Sequence, residues 1–422
     1  MGPITHLVRL PEFEGEPYAL HPVSAHVAKL GAFSNWNPDP QGSGCVFNLE
    51  ASCEAAIGEA VERYSGNYPH PPAKWATTEK LDSEGSRYID PASLVAISES
   101  QRVLSTGLVP HSPKLNYAWL NGYDLRDGSL TLVPRDAASL HFEAGSLSSL
   151  ISRLPGIAAG DTLESAVAAG TLELIERDAT ARWWLTRQPC DEISQDWVTS
   201  LPLDGISPRL SIRLFSLHSI IPSVHVVCAL LYDSEVDVWL AGFAARTNVR
   251  IAALKAIGET FQLRRIAHGI INPDSWTWKR SEFDDSQVFP LVPYRADRAY
   301  MDSLPPHKMT QLIHNLQYAL DPRSQEPFLS AIENSIAHRN ITPSETNLPF
   351  LPLSEPDVLN PVPGSIAYVD LTTTDAARLG YSVVRVIAPD LLINAPEAHH
   401  PWRDVKRLYG VEYSAIPPMP HA

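Results

Sequence analysis

The stretch from Gly160 to Leu185, G-D-T-L-E-S-A-V-A-A-G-T-L-E-L-I-E-R-D-A-T-A-R-W-W-L, constrains this chain most. It reads as one helix. Asp161 or Thr162 can N-cap it, and Glu164 in the first turn suits the positive end of the helix dipole. From Ala166 to Leu172 there is no charge, so the helix is expected to be buried. Glu173 and Glu176 then follow one turn apart and point the same way. Two carboxylates on a buried helix are costly unless a cation or strong donors meet them. The plainer alternative is a helix end emerging into solvent, with Glu173 and Arg177 paired at i, i+4.

The pattern returns twice. S-C-E-A-A-I-G-E-A-V-E-R-Y carries Glu59, Glu62 and Arg63; A-L-K-A-I-G-E-T-F-Q-L-R-R-I carries Glu259, Gln262, Arg264 and Arg265. The segments are too far apart and too unequally spaced for a solenoid. Three such helices can instead form three walls of one site. Carboxylates backed by arginines suit a divalent metal carrying a polyphosphate: Glu oxygens take the hard cation and guanidinium forks take phosphate.

These segments resemble the YcaO superfamily. G-S-G (Gly42 to Gly44) with A-A-I-G-E-A-V-E-R-Y-S-G (Ala55 to Gly66) is similar to its first ATP-binding segment. Trp119 to Leu125 with Val133-Pro134, Gly156 to Ala179, Val369 to Thr372 and Val383 to Pro389 continue the likeness over roughly residues 40 to 410. The resemblance implies an α+β YcaO fold: mixed sheets, with three Glu-bearing helices lining an ATP cleft. It also implies a single domain over 1–422, with sub-regions 1–150, 151–340 and 341–422.

ATP and Mg2+ are the implied cofactors. Glu59, Glu62, Glu173 and Glu176 are the implied metal ligands. Glu59, Glu62, Arg63, Glu164, Arg177, Glu259, Gln262 and Arg264 are the implied nucleotide contacts. The general base is not identified. Three positions depart from the family's common residues: Ser43, where Lys is usual; Asp161, where Asn is; and Ser165, where an acid is.

The implied chemistry is ATP-dependent activation of a backbone amide in a ribosomally made precursor peptide. The amide oxygen is phosphorylated and the product is a thiazoline or oxazoline. Macroamidine or thioamide formation by the same chemistry is the alternative product class, and the resemblance implies either a partner protein that delivers the peptide or a stand-alone member that binds a short precursor directly, as in bottromycin-type pathways. A catalytically degenerate binding partner, and an ATP-dependent ligase or kinase on a small molecule, are the other readings. A peptide-recognition partner protein or a homodimer is compatible with all of them.

Composition narrows the rest. The 422 residues carry a formal net charge of −15, with 44% hydrophobic and 19% charged residues. That describes a globular protein with a core and disfavours nucleic-acid or anionic-membrane surfaces. The N-terminal residues lack the apolar run of a signal peptide, and the Ile220–Tyr232 run is too short to span a bilayer. Cys45, Cys53, Cys190 and Cys228 show no zinc spacing and read as reduced cytoplasmic thiols. No P-loop, G-x-G-x-x-G, H-E-x-x-H or G-x-S-x-G motif is present.

Elsewhere, Ala118 to Pro134 reads as a hairpin around Asp127-Gly128, and Arg209 to Ala244 as successive strands. Ser34 to Gln41 is turn-rich, and His141-Phe142-Glu143 precedes a Ser/Gly stretch. Thr342 to Pro363, with six prolines, reads as an extended, solvated linker. Ser365 to Ile387 reads as strand–helix–strand, resembling an α/β unit. The last residues, Pro417-Pro418-Met419-Pro420-His421-Ala422, have the prolines but not the P-x-P-x-P repeat of azoline-forming members.

Overall fold

The computed structural model describes residues 3–28, 41–104, 108–140, 149–150, 155–278, 290–345, 348, 350–412 and 416–421. The stretches at 34–40 and 141–148 singled out above lie outside them. Among the described residues no helix is long and apolar enough to cross a membrane.

Three sheets organise the described residues. The first is antiparallel: β1 (Ile4–Arg9), β2 (His21–Val27) and β3 (Gln41–Val46), in that order. The second contains β4 (Lys74–Ala76), β5 (Tyr117–Asp124), β6 (Leu130–Pro134), β7 (Ile157–Gly160), β13 (Ala367–Asp370) and β14 (Ser382–Ile387). Its order is β4-β5-β13-β14-β7, with β6 pairing β5 through the expected hairpin. Gly128 supplies the positive φ, +68°, that its turn demands. The third sheet, β11-β10-β9-β8-β12, joins β8 (Cys190–Ile193), β9 (Leu210–Leu217), β10 (His225–Asp233), β11 (Val238–Arg246) and β12 (Ile336–Ile341).

The three glutamate helices run Leu49–Asn67, Leu163–Thr186 and Val249–Ile271. Each is capped by a side chain that accepts from a backbone N–H in the first turn: Asn48, Thr162 and Asn248. Thr162, not Asp161, is the central cap, and Ser165 closes a capping box with it.

Measured from the cap, the three units share one layout. Eleven residues on stand Glu59, Glu173 and Glu259; three further on stand Glu62, Glu176 and Gln262. Six residues before the cap stands a glycine: Gly42, Gly156 or Gly242. These glycines let strand and helix touch. A Cβ on Gly42 would lie 2.0 Å from Ala56 O, and one on Gly242 2.2 Å from Ala256 O. In the central unit Gly170 takes the alanine's place, and its Cβ would lie 2.9 Å from Gly156 O.

The units follow one another in a ring. The first helix packs on β7, the central helix on β11, and the third on β3. At the last contact Gly258 leaves no room for a Cβ, which would meet Cys45 O at 1.8 Å.

Two expectations need correction. The segment 342–363 is solvated only in part: most of its described residues are exposed, but Leu351, Leu359 and Val362 are buried in one core cluster with the central helix. From Pro352 to Val362 the chain runs through successive turns, with Glu355 N donating to Pro352 O at 3.1 Å, Val358 N to Glu355 O at 3.2 Å and Val362 N to Leu359 O at 3.1 Å, and the apolar residues among them dock. The strand–helix–strand near residue 375 is not a parallel unit either. β13 and β14 pair antiparallel, Ala367 opposite Ile387, across a short helix at Thr374–Arg378.

Candidate nucleotide and metal site

Where the units meet, strand N–H groups hold the glutamates. Within each unit the first glutamate turns back to its own strand. Glu59 Oε2 accepts from Ser43 N at 2.6 Å and Ser43 Oγ at 2.8 Å. Glu173 Oε2 accepts from Gly156 N at 2.8 Å, and Glu259 Oε2 from Phe243 N at 3.1 Å. The second glutamate reaches the strand of the next unit. Glu62 Oε1 accepts from Ala159 N at 2.9 Å, and Glu176 Oε2 from Ala245 N at 3.1 Å. Each carboxylate is thus oriented by a backbone dipole already fixed by the strand.

Among the described residues three cations stand beside them. Arg63 Nη2 lies 2.5 Å from Glu59 Oε1. Arg177 Nη2 lies 3.7 Å from Glu173 and 3.6 Å from Glu176. Lys255 Nζ lies 3.8 Å from Glu259. Lys255 also lowers the pKa values of Glu62 and Glu173, which places side chains from all three helices within one field.

Among the described residues five carboxylates against three cations leave a deficit, and Glu62, Glu173 and Glu259 are shifted toward the protonated form. Burial, then the nearby Glu173 and Glu59, push the Glu62 carboxyl up to about 8. Burial also raises Glu259, to about 7; Glu176 adds to the rise and Lys255 and Arg177 oppose it. Glu173 is raised by burial against the pull of Arg177 and Gly156 N. Arg177 Nε is buried with no hydrogen-bond partner among the described residues. An oxygen-only donor set short of positive charge, beside an unsatisfied guanidinium N–H, fits a hard divalent cation with a phosphate ligand.

The other expected contacts fall differently. Gln262 shares the helix face of Lys255 and Glu259. Glu164 is exposed in the first turn of the central helix, more than two turns from Glu173. Arg264 does not join the cluster. Five residues after Glu259, it lies about 140° around the helix, whereas Arg63 and Arg177 sit four residues after their glutamates. It turns to the opposite face and donates from Nε to Asp233 at 2.6 Å. Asp233, Glu235 and His268 there have metal-like spacing, within 4.8 Å. However, Asp233 Oδ2 already accepts from both Arg264 and His268.

Two members of the cluster escaped sequence reasoning: Lys255, visible at i−4 from Glu259, and Ser43, which donates to a carboxylate in place of a lysine.

The family model described as YcaO cyclodehydratase, ATP- and Mg2+-binding, matches residues 43–337. The chain belongs to the YcaO family. ATP and Mg2+ are therefore the ligands of its family, and the α+β architecture is the YcaO fold. No curated protein matches the chain.

Among solved structures it is similar to a heterocyclase in complex with substrate and cofactor, at 17% identity and TM-score 0.63, covering 98% of this chain and 53% of that one. It is similar to YcaO from Methanopyrus kandleri bound with AMPPCP and Mg2+, at 17% identity and TM-score 0.56, covering 92% and 86%. The E. coli microcin synthetase McbBCD complex with pro-MccB17 bound gives 15% identity and TM-score 0.59, covering 92% and 88%. The chain spans about half the length of the first of these, and at such identities the likeness is one of fold.

Proposed function

We propose that this YcaO protein uses ATP to activate a backbone amide of a ribosomally made precursor peptide, and that the product is a thiazoline or oxazoline. The observation that carries this reading is the convergence of Glu59, Glu62, Glu173, Glu176 and Glu259, oriented by backbone N–H groups and short of cations. In it, ATP supplies the phosphoryl group that makes the amide oxygen a leaving group, and magnesium offsets the charge of the triphosphate. Glu59, Glu62, Glu173 and Glu176 are the proposed magnesium ligands. Arg63, Arg177 and Lys255, with Glu259 and Gln262 beside them, are the proposed phosphate side of the site.

A Cys thiol or a Ser or Thr hydroxyl of the peptide attacks the preceding amide carbon and gives up its proton. The resulting oxyanion takes the γ-phosphoryl group and ADP is released; the amide nitrogen then loses its proton and forms the C=N bond as the phosphorylated oxygen leaves as phosphate, so that the peptide is lighter by one water. An amine nucleophile would give a macroamidine by the same route, and sulfide a thioamide. Peptide delivery by a partner protein is compatible with the McbBCD likeness.

The test is peptide-dependent phosphate release. Glu173→Gln and Glu176→Gln are each expected to lower it about 100-fold or more while the protein stays folded. Full activity in either variant would end the ligand assignment. Mass spectrometry of the peptide separates loss of water from exchange of oxygen for sulfur.

A further inference from the structure

β11 is the edge strand of its sheet, and its outward N–H groups alternate along one line. Phe243 N and Ala245 N go to Glu259 and Glu176. The next in line, Ala241 N, donates to Pro420 O at 2.9 Å. Segment 416–421 is therefore laid along the same edge that orients two of the site's glutamates.

Ile416 and Met419 anchor the segment in the largest core, and Trp184 Nε1 donates to Pro417 O at 3.0 Å. The His421 ring is buried edge-on against Phe243, centroids 5.1 Å apart. Its Nδ1 lies 3.1 Å from Ala241 O and its Nε2 lies 3.0 Å from Arg177 Nη1. A carbonyl only accepts and a guanidinium only donates. Nδ1 therefore carries the hydrogen and Nε2 presents its lone pair to Arg177.

We propose that His421 is a positioning residue that sets the orientation of Arg177. With Nη1 held by His421 and Nη2 facing Glu173 and Glu176, the guanidinium plane is defined at both ends. Nε is left as its unpartnered donor. The role rests on the nucleotide reading above: an arginine fixed in advance binds phosphate without first losing rotamer freedom.

The test is titration of the full chain with a non-hydrolysable ATP analogue and magnesium, alongside urea unfolding of the ligand-free protein. His421→Ala is expected to weaken binding about 10-fold, the scale of one hydrogen bond to a charged group. His421→Gln, whose Oε1 can accept from Nη1, should restore it to within about 3-fold. In an Arg177→Ala background His421→Ala should bring no further loss of affinity. If the alanine variant does not fold, His421→Phe, which keeps the ring against Phe243, carries the same reading. Equal losses in both backgrounds, or no rescue by glutamine, would make His421 a packing residue and overturn the proposal. A wild-type chain that binds no nucleotide, yet shows His421 and Arg177 coupled in unfolding, would end the nucleotide reading and reduce the contact to a structural one.

Discussion

Two clusters of charge share the helix Val249–Ile271, one on each face, and they differ in how cations match carboxylates. On the outer cluster Arg264 Nε lies 2.6 Å from Asp233 and His268 Nε2 lies 2.8 Å from it. Arg265 closes on Glu16, and Phe13 lies under both arginines. Asp233 is fully buried; burial alone would raise its pKa, yet the hydrogen bonds from His268 and Arg264 outweigh that and hold it down at about 2. On the inner face Lys255 is the helix's own cation for Glu259, and burial wins: Glu259 and Glu62 are pushed up. The outer cluster is complete as it stands and ties the segment around residues 11–16 to the helix. The inner one sets five carboxylates against the three cations Arg63, Arg177 and Lys255. Functional sites are expected where stability has been given up in this way.

The largest effect that can break this contrast is at Asp233. Asp233→Ala leaves the buried Arg264 without its carboxylate, with only Glu14 O still accepting from it, and should destabilise the protein by about 3–5 kcal/mol in urea unfolding. A loss below about 1 kcal/mol would put the outer cluster on the level of a surface ion pair. At Glu62 the sign should reverse. Glu62→Gln keeps an oxygen for Ala159 N and removes a charge that the ligand-free site opposes. It should stabilise the ligand-free protein by about 1–2 kcal/mol at pH 8 while weakening magnesium binding. Destabilisation by Glu62→Gln would mean that the inner face is as well matched as the outer.

That contrast was only partly legible in the chain. The glutamate helices could be read because caps, alanine content and the E-x-x-E/Q spacing are local, and all three stand within a few residues of their expected bounds. Arg264 follows Glu259 closely in sequence, as Arg63 and Arg177 follow their glutamates, but one extra residue turns it to the other face, toward Asp233. The same phase puts Lys255, four residues before Glu259, on the inner face. Contacts from distant segments were not legible at all. Nothing in I-P-P-M-P-H states that it lies along β11, and prolines alone did not distinguish solvated chain at 342–363 from chain whose leucines are buried. The cap-to-glutamate interval common to the three units is present in the sequence. It stands out only once the caps are known.

The smallest of the effects, and the most specific, is the dependence of stability on pH. Asp233 has a depressed pKa, so its contribution is present above about pH 4 and is lost as pH falls toward 2. Glu62 has a raised one. Between its ordinary value of 4.5 and its folded value of about 8, the unfolded chain holds fewer protons than the folded one. Stability of the ligand-free protein should therefore fall as pH rises through that window. A full shift gives about 1.4 kcal/mol per pH unit, and partial solvent screening reduces this to about 0.5. Magnesium favours the ionised carboxylate, so saturating magnesium should flatten the slope, and its binding near pH 7 should release protons to the buffer. Urea unfolding at pH 5, 6, 7 and 8, with and without magnesium, measures both slopes. The same fall with the metal present, or no fall without it, would show that the cation relieving the inner glutamates is not a magnesium ion bound among them.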